Sequence, residues 1–115
     1  MKIRELPLEF RKSGILYHQL DKKVEKKIDK YGNERVSGYV IYSCKHDDGY
    51  FCYEVFEYKL QNPHPMDTGG WDKVEYYPGN ESFGNCAWSC PNKDSLKKVM
   101  NLHFGIDYEE EMLNW

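Results

Sequence analysis

Residues Leu16 to Tyr31 read LYHQLDKKVEKKIDKY and are followed by Gly32-Asn33; the reading of this stretch decides the fold. Leu20, Val24 and Ile28 recur every four residues, with Tyr31 three further on, which is one face of a helix. The lysines and glutamates between them are good helix formers, and Gly32-Asn33 supplies a C-terminal stop. The spacing predicts a helix over residues 17–31. A long β-ribbon turning at Gly32-Asn33 is the alternative, because Val24 and Ile28 share a parity. Positions 22, 26 and 30 are all lysine, which weighs against the ribbon.

Downstream the pattern changes. Tyr39–Lys45 and Tyr50–Leu60 are rich in β-branched and aromatic residues, and Asp48-Gly49 between them is a strong hairpin signal. A two-residue turn at Asp48-Gly49 sets Cys44 opposite Tyr53 and Lys45 opposite Cys52. It gathers Val40, Tyr42, Cys44, Phe51, Tyr53 and Val55 on one apolar face. A three-residue loop over Asp47–Gly49 would instead set Cys44 across from Cys52; the more uniform apolar face favours the two-residue turn.

Gln61–Gly70 reads as loop, Trp71–Tyr77 as a third strand and Phe83–Cys90 as a fourth. Asn92 or Asp94 can then cap a helix with the stripe Leu96, Val99, Met100 and His103/Phe104, stopped by Gly105. A further short helix is expected over Asp107–Trp115. Together these elements predict a single domain, residues 1–115, of the α+β class: a small antiparallel sheet of three to four strands packed by one or two helices.

Composition narrows the possible functions. The chain of 115 residues has a net charge of −3, four cysteines and ten tyrosines. Its N-terminus has no apolar leader and no segment reaches membrane-span length, so a cytoplasmic, intracellular protein with reduced thiols and no membrane contact is expected. The charge is split: residues 1–46 carry +5 and residues 47–115 carry −8. Tyrosine joins an apolar ring to a polar tip, so a surplus serves either a core or a contact surface.

The chemistry-bearing residues do not converge. Cys86-x3-Cys90 and Cys44-x7-Cys52 lack the tight spacing of a structural zinc site, so a zinc-stabilised interaction module ranks third among the readings. His46-Asp47-Asp48 sits at a turn where aspartate is favoured conformationally. His18, His64 and His103 are isolated, and Ser82, Ser89 and Ser95 lack a nucleophile elbow. No catalytic residue, metal or cofactor is predicted. On a helix, Lys22, Lys26 and Lys30 form one column and Lys23 and Lys27 the next, with Asp21, Glu25 and Asp29 in a third. Those lysines are the candidate nucleic-acid contacts, against the overall acidity.

YEVFEYK (Tyr53–Lys59), then YPGNESFGNCAWS (Tyr77–Ser89) and a short amphipathic helix, resembles small uncharacterised proteins of phages and mobile elements. The likeness covers residues 50–104, with residues 22–38 as an insertion. It implies a compact antiparallel sheet packed by one helix, and a context in which small proteins bind and block host machinery. The leading expectation is a non-enzymatic protein-binding accessory factor with a host protein as partner, extending to an inhibitor of a host defence or nuclease system of the anti-CRISPR kind. Its expected contacts are exposed Trp71, Tyr76 and Tyr77 with the acidic Glu109, Glu110 and Glu111. Nucleic-acid binding through Lys22, Lys23, Lys26, Lys27 and Lys30 is the alternative.

Overall fold

The computed structural model describes residues 2–79 and 82–108. Its elements run β1 (Ile3–Arg4), β2 (Glu9–Lys12), β3 (Ile15–Ile28), β4 (Glu34–His46), β5 (Phe51–Glu57), β6 (Leu60–Gln61), β7 (Lys73–Glu75), β8 (Ala87–Cys90) and α1 (Lys93–Phe104). They form a five-stranded antiparallel sheet, β2-β3-β4-β5-β8, and a three-stranded sheet, β1-β7-β6. The expected α+β fold with three or four strands is therefore wrong: strands dominate, and α1 is the one helix among the described residues.

The helix expected over residues 17–31 is strand β3, paired with β4 from Ile15↔His46 to Ile28↔Glu34. A four-residue spacing is compatible with both a helix and a strand, because four is close to one helical turn and also a multiple of two. A bulge between Gln19 and Asp21 then changes which parity faces which layer. Before it, Tyr17 and Gln19 share a face with Cys44 and Tyr42; after it, Lys22 and Lys26 lie beside Val40 and Val36.

Both long hairpins close with the same turn. Asp29 N–H bonds the Asn33 carbonyl at 2.9 Å while Gly32 N–H bonds Asp29 O at 3.0 Å. His46 N–H bonds the Tyr50 carbonyl at 2.8 Å while Gly49 N–H bonds His46 O at 3.0 Å. Each is a three-residue loop whose last residue, Gly32 or Gly49, has positive φ (80° and 96°), the turn-plus-bulge geometry that glycine adopts without a Cβ penalty. The second loop overturns the two-residue register. Cys44 faces Cys52, and Lys45 faces Phe51.

Every face assignment on β5 shifts with it. Cys52, Glu54 and Phe56 lie with Cys44, Tyr42 and Val40, whereas Tyr53 and Val55 lie with Ser43 and Ile41. Phe51, expected in the core, is exposed. The sheet is covered on both sides. On one, Leu96 and Met100 of α1 with Tyr108 pack on Tyr39, Ile41, Tyr53 and Val55. On the other, Leu6, Tyr58, Phe10, Tyr17, Tyr77 and Phe83 pack on Val40, Tyr42, Phe56 and Ala87.

Helix α1 forms where it was expected. Asn92 is its N-cap, accepting the Ser95 N–H at 2.8 Å, and Gly105 ends it at φ 66°. The expected third strand shrinks to β7, which joins the smaller sheet, and the fourth to β8, because residues 82–86 fold into a turn (Cys86 N–H to Ser82 O, 3.0 Å). The helix expected over Asp107–Trp115 lies, from residue 109 on, outside the described residues.

Beyond Tyr39 strand β4 has left β5, and beyond His18 strand β3 has left β2, so Lys22–Ile28 and Glu34–Gly38 continue as a two-stranded arm. Gly38 is its pivot. A Cβ there would meet the Lys23 carbonyl oxygen at 1.8 Å, and its φ is +142°. Gly38→Ala should therefore cost about 3 kcal/mol in urea unfolding, against about 1 kcal/mol for Gly32→Ala, whose Cβ would meet open space. Equal losses would place the constraint elsewhere.

Candidate functional site

The surplus of tyrosine proves to be largely internal. Tyr39, Tyr42, Tyr53, Tyr58 and Tyr108 are buried. A buried phenol needs a partner for its hydroxyl, and three carboxylates supply most of them. Glu75, its side chain 3% exposed, accepts the Tyr58 hydroxyl, the Leu6 N–H at 2.7 Å and both arms of a Lys22 ammonium contact at 2.8 and 2.9 Å. Asp21, in the β3 bulge, accepts the hydroxyls of Tyr39 at 3.0 Å and Tyr108 at 2.8 Å. Glu54 accepts the hydroxyl of Tyr77.

Two of these carboxyls shift in opposite directions for a physical reason. Burial alone would raise the Glu75 carboxyl, but Lys22, the Tyr58 hydroxyl and the Leu6 N–H together hold it below the ordinary carboxyl range. Glu54 has one donor, so burial wins and its carboxyl is raised. Burial and then Asp21 push the Tyr39 phenol up to about 12.

The expected aromatic contacts Trp71, Tyr76 and Tyr77 are half-buried. Trp71 is half-buried, with the Lys2 ammonium 4.8 Å above its ring. Tyr76 turns its hydroxyl to Ser82 Oγ at 3.2 Å. Tyr77 is half-buried in the aromatic cluster, touching Phe10, Tyr17, Tyr42 and Phe56. Glu109, Glu110 and Glu111 lie outside the described residues.

The lysines are redistributed as well. Lys22 is committed to Glu75. Lys23 and Lys27 flank Glu25 at 3.3 and 3.9 Å, Lys26 is 3.9 Å from Glu34, and Lys30 lies 5.1 Å from the Tyr31 ring centroid. Lys22 and Lys26 occupy one face of β3 and Lys23 and Lys27 the other, so the helical columns do not exist.

Cys44 and Cys52 are buried side by side, while Cys90 lies in the opposite core layer with α1. Burial pushes the thiols of all three up, which makes them poor nucleophiles. Among the described residues no group of three His, Cys, Asp or Glu side chains could hold a metal ion. His103 stacks on Trp88, with centroids 4.0 Å apart.

Two features remain that the sequence reading missed. The arm tip exposes Ile28 and Tyr31, each 76% accessible, with Val24 at 39%. Second, a cleft of about 660 Å3 opens over Glu54 between the β2–β3 turn and the segment from Tyr77 to Phe83. The cleft was hidden by the register, since the two-residue turn put Glu54 on the mixed face, and Asp48-Gly49 fits either loop.

No protein family, curated protein or solved structure matches this chain. No helix among the described residues is long and apolar enough to cross a membrane.

The Glu75 cluster predicts a pH dependence. Its folded carboxyl is lowered, so its contribution is complete above the ordinary value of 4.5 and is lost as pH falls through the lower folded value. Glu75→Gln should cost about 2 kcal/mol at neutral pH in urea unfolding, and the gap to wild type should close as the pH is taken below 4.5. A gap that stays constant into acid would show that Glu75 contributes by shape alone.

Proposed function

We propose that this protein is a non-enzymatic protein-binding module whose contact element is the β3–β4 arm. The observation that supports the reading most is that Ile28 and Tyr31, three residues apart at the closing end of a two-stranded arm, are both exposed, whereas the comparably exposed Leu8, Met66 and Leu102 are dispersed along the chain. Large apolar side chains are normally withdrawn from solvent, and a cluster of them ringed by charge is characteristic of a recognition surface. With Tyr77 engaged by Glu54 and the aromatic cluster and Tyr76 bonded to Ser82, this reading takes the arm in place of that pair as the contact.

The resemblance to small phage and mobile-element proteins extends the proposal to its partner: a host protein inside the cell, of a defence or nuclease system, which the bound module blocks. Nucleic-acid binding is the second reading. A two-stranded ribbon fits the major groove of duplex DNA, and Lys26 and Lys27 are 70% and 73% exposed. Interleaved Glu25, Asp29 and Glu34 reduce the field that those lysines present to phosphate.

The two readings separate by variant. Ile28→Ser/Tyr31→Ser should abolish specific capture of a host protein, while Lys26→Glu/Lys27→Glu/Lys30→Glu should leave it within a few-fold; both should keep the wild-type unfolding midpoint. Capture indifferent to the first pair would overturn the arm as the contact. Salt-sensitive retardation of DNA that only the lysine variant loses would favour the second reading.

A further inference from the structure

We propose that the cleft over Glu54 is a binding site for an organic ammonium group on an apolar stem. The site is separate from the arm. Its walls are Phe10, Tyr17, Tyr77 and Phe83, with Leu6 and Pro7 behind them. Its volume, about 660 Å3, is that of a small-ligand pocket. Phe10 and Tyr17 stack on each other at 4.5 Å, and Tyr77 meets both edge-on, so the aromatic wall is held rigid by its own contacts.

The acid sets the ligand's charge. Glu54 comes from the middle of β5, on the same face as Tyr42 and Phe56. One of its oxygens, Oε2, accepts from Tyr77; the other has no partner among the described residues. Among the described residues no buried side-chain oxygen or nitrogen lacks a hydrogen bond, so Oε1 is not fully buried, and Glu54 lines the cleft. Among the described residues no cation forms an ion pair with it: Lys12 lines the cleft without pairing, and His46 acts on Glu54 only through its field. Burial raises the Glu54 carboxyl, and the Tyr77 hydroxyl and nearby His46 offset that only in part.

Other ligand classes fit less well. An anion would be repelled by Glu54. A neutral apolar molecule would cover Oε1 and leave it unpaired, at a desolvation cost. A hard metal ion needs several oxygen donors, and the described lining offers one carboxylate. An ammonium satisfies the free oxygen and is attracted to the faces of neutral aromatic rings. Tyr17 stays neutral, as burial followed by Glu54 pushes its phenol up to about 12.

The ammonium could be that of a free small amine or of a modified lysine side chain, and two probes distinguish these. Calorimetric titration of the full chain with choline and with an N-acetyl-trimethyllysine amide should show saturable binding of at least one. Tighter binding of the lysine derivative assigns the site to a protein side chain, and equal or tighter choline binding to a free amine. The uncharged isostere 3,3-dimethylbutanol should bind at least about tenfold more weakly. Glu54→Gln keeps an acceptor for the Tyr77 hydroxyl, so it should fold, as checked by thermal unfolding, and lose at least about tenfold in choline affinity. Ile28→Ser/Tyr31→Ser should bind choline as wild type does, which keeps this result distinct from failure of the arm. No saturable binding of either cation, or equal binding of the neutral isostere, or an unaffected Glu54→Gln, would each overturn the proposal.

Discussion

A single buried carboxylate, Glu75, ties together three parts of the chain that are far apart in sequence. It belongs to the small sheet, yet it accepts from Lys22 in the large sheet, Tyr58 just beyond β5 and the Leu6 backbone near the N-terminus. Burying an acid without such partners would cost several kcal/mol, so the four groups must come together or not at all. That requirement fixes which face of β3 turns toward the small sheet. The bulge after Gln19 then puts Asp21 on the opposite face, where it holds Tyr39 and Tyr108 under the helix layer. Two acids on the two sides of one strand thus anchor both layers to β3.

This arrangement explains the composition. A core of this size could be filled with leucine and valine alone, but here tyrosine rings share the bulk, and the hydroxyls of Tyr39, Tyr58, Tyr77 and Tyr108 end on acids. The solution is specific because each phenol has one satisfactory direction, whereas an aliphatic side chain has several. The tyrosines that first suggest a contact surface are mostly spent on structure. Two features stay outside that structural use: an arm that outruns its neighbouring strands, and a cleft where one acid, Glu54, has one donor and an open side.

The parts legible in the sequence were those governed by local rules. Asn92 and Gly105 bound the helix because capping is a matter of two or three adjacent residues. The existence of a hairpin near Asp48-Gly49 was equally local, but its register was not. Asp-Gly is compatible with a two-residue turn and with the end of a three-residue loop, and the two choices exchange the faces of β5. The same ambiguity recurs at Gly32, which serves as a helix stop or as the last residue of a hairpin loop. For Leu16–Tyr31, lysines at 22, 26 and 30 argued against a strand only so long as no acid lay across from them. Glu75, more than fifty residues away, gives Lys22 a reason to be turned inward, and Lys26 and Lys30 sit on an arm with little to bury. Neither fact can be read from a window of sixteen residues. The Glu54 cleft was illegible for the same reason as the register that creates it.

The central claim is that Lys22 and Glu75 act as a unit that holds the two sheets together, and a double-mutant cycle measures it directly. Urea unfolding of wild type, Lys22→Met, Glu75→Gln and the double variant at neutral pH should give a coupling energy of about 1–2 kcal/mol, with the double variant more stable than the sum of single losses implies. Losses that add to within about 0.3 kcal/mol would mean that the two residues are independent and that the sheets are joined by something else.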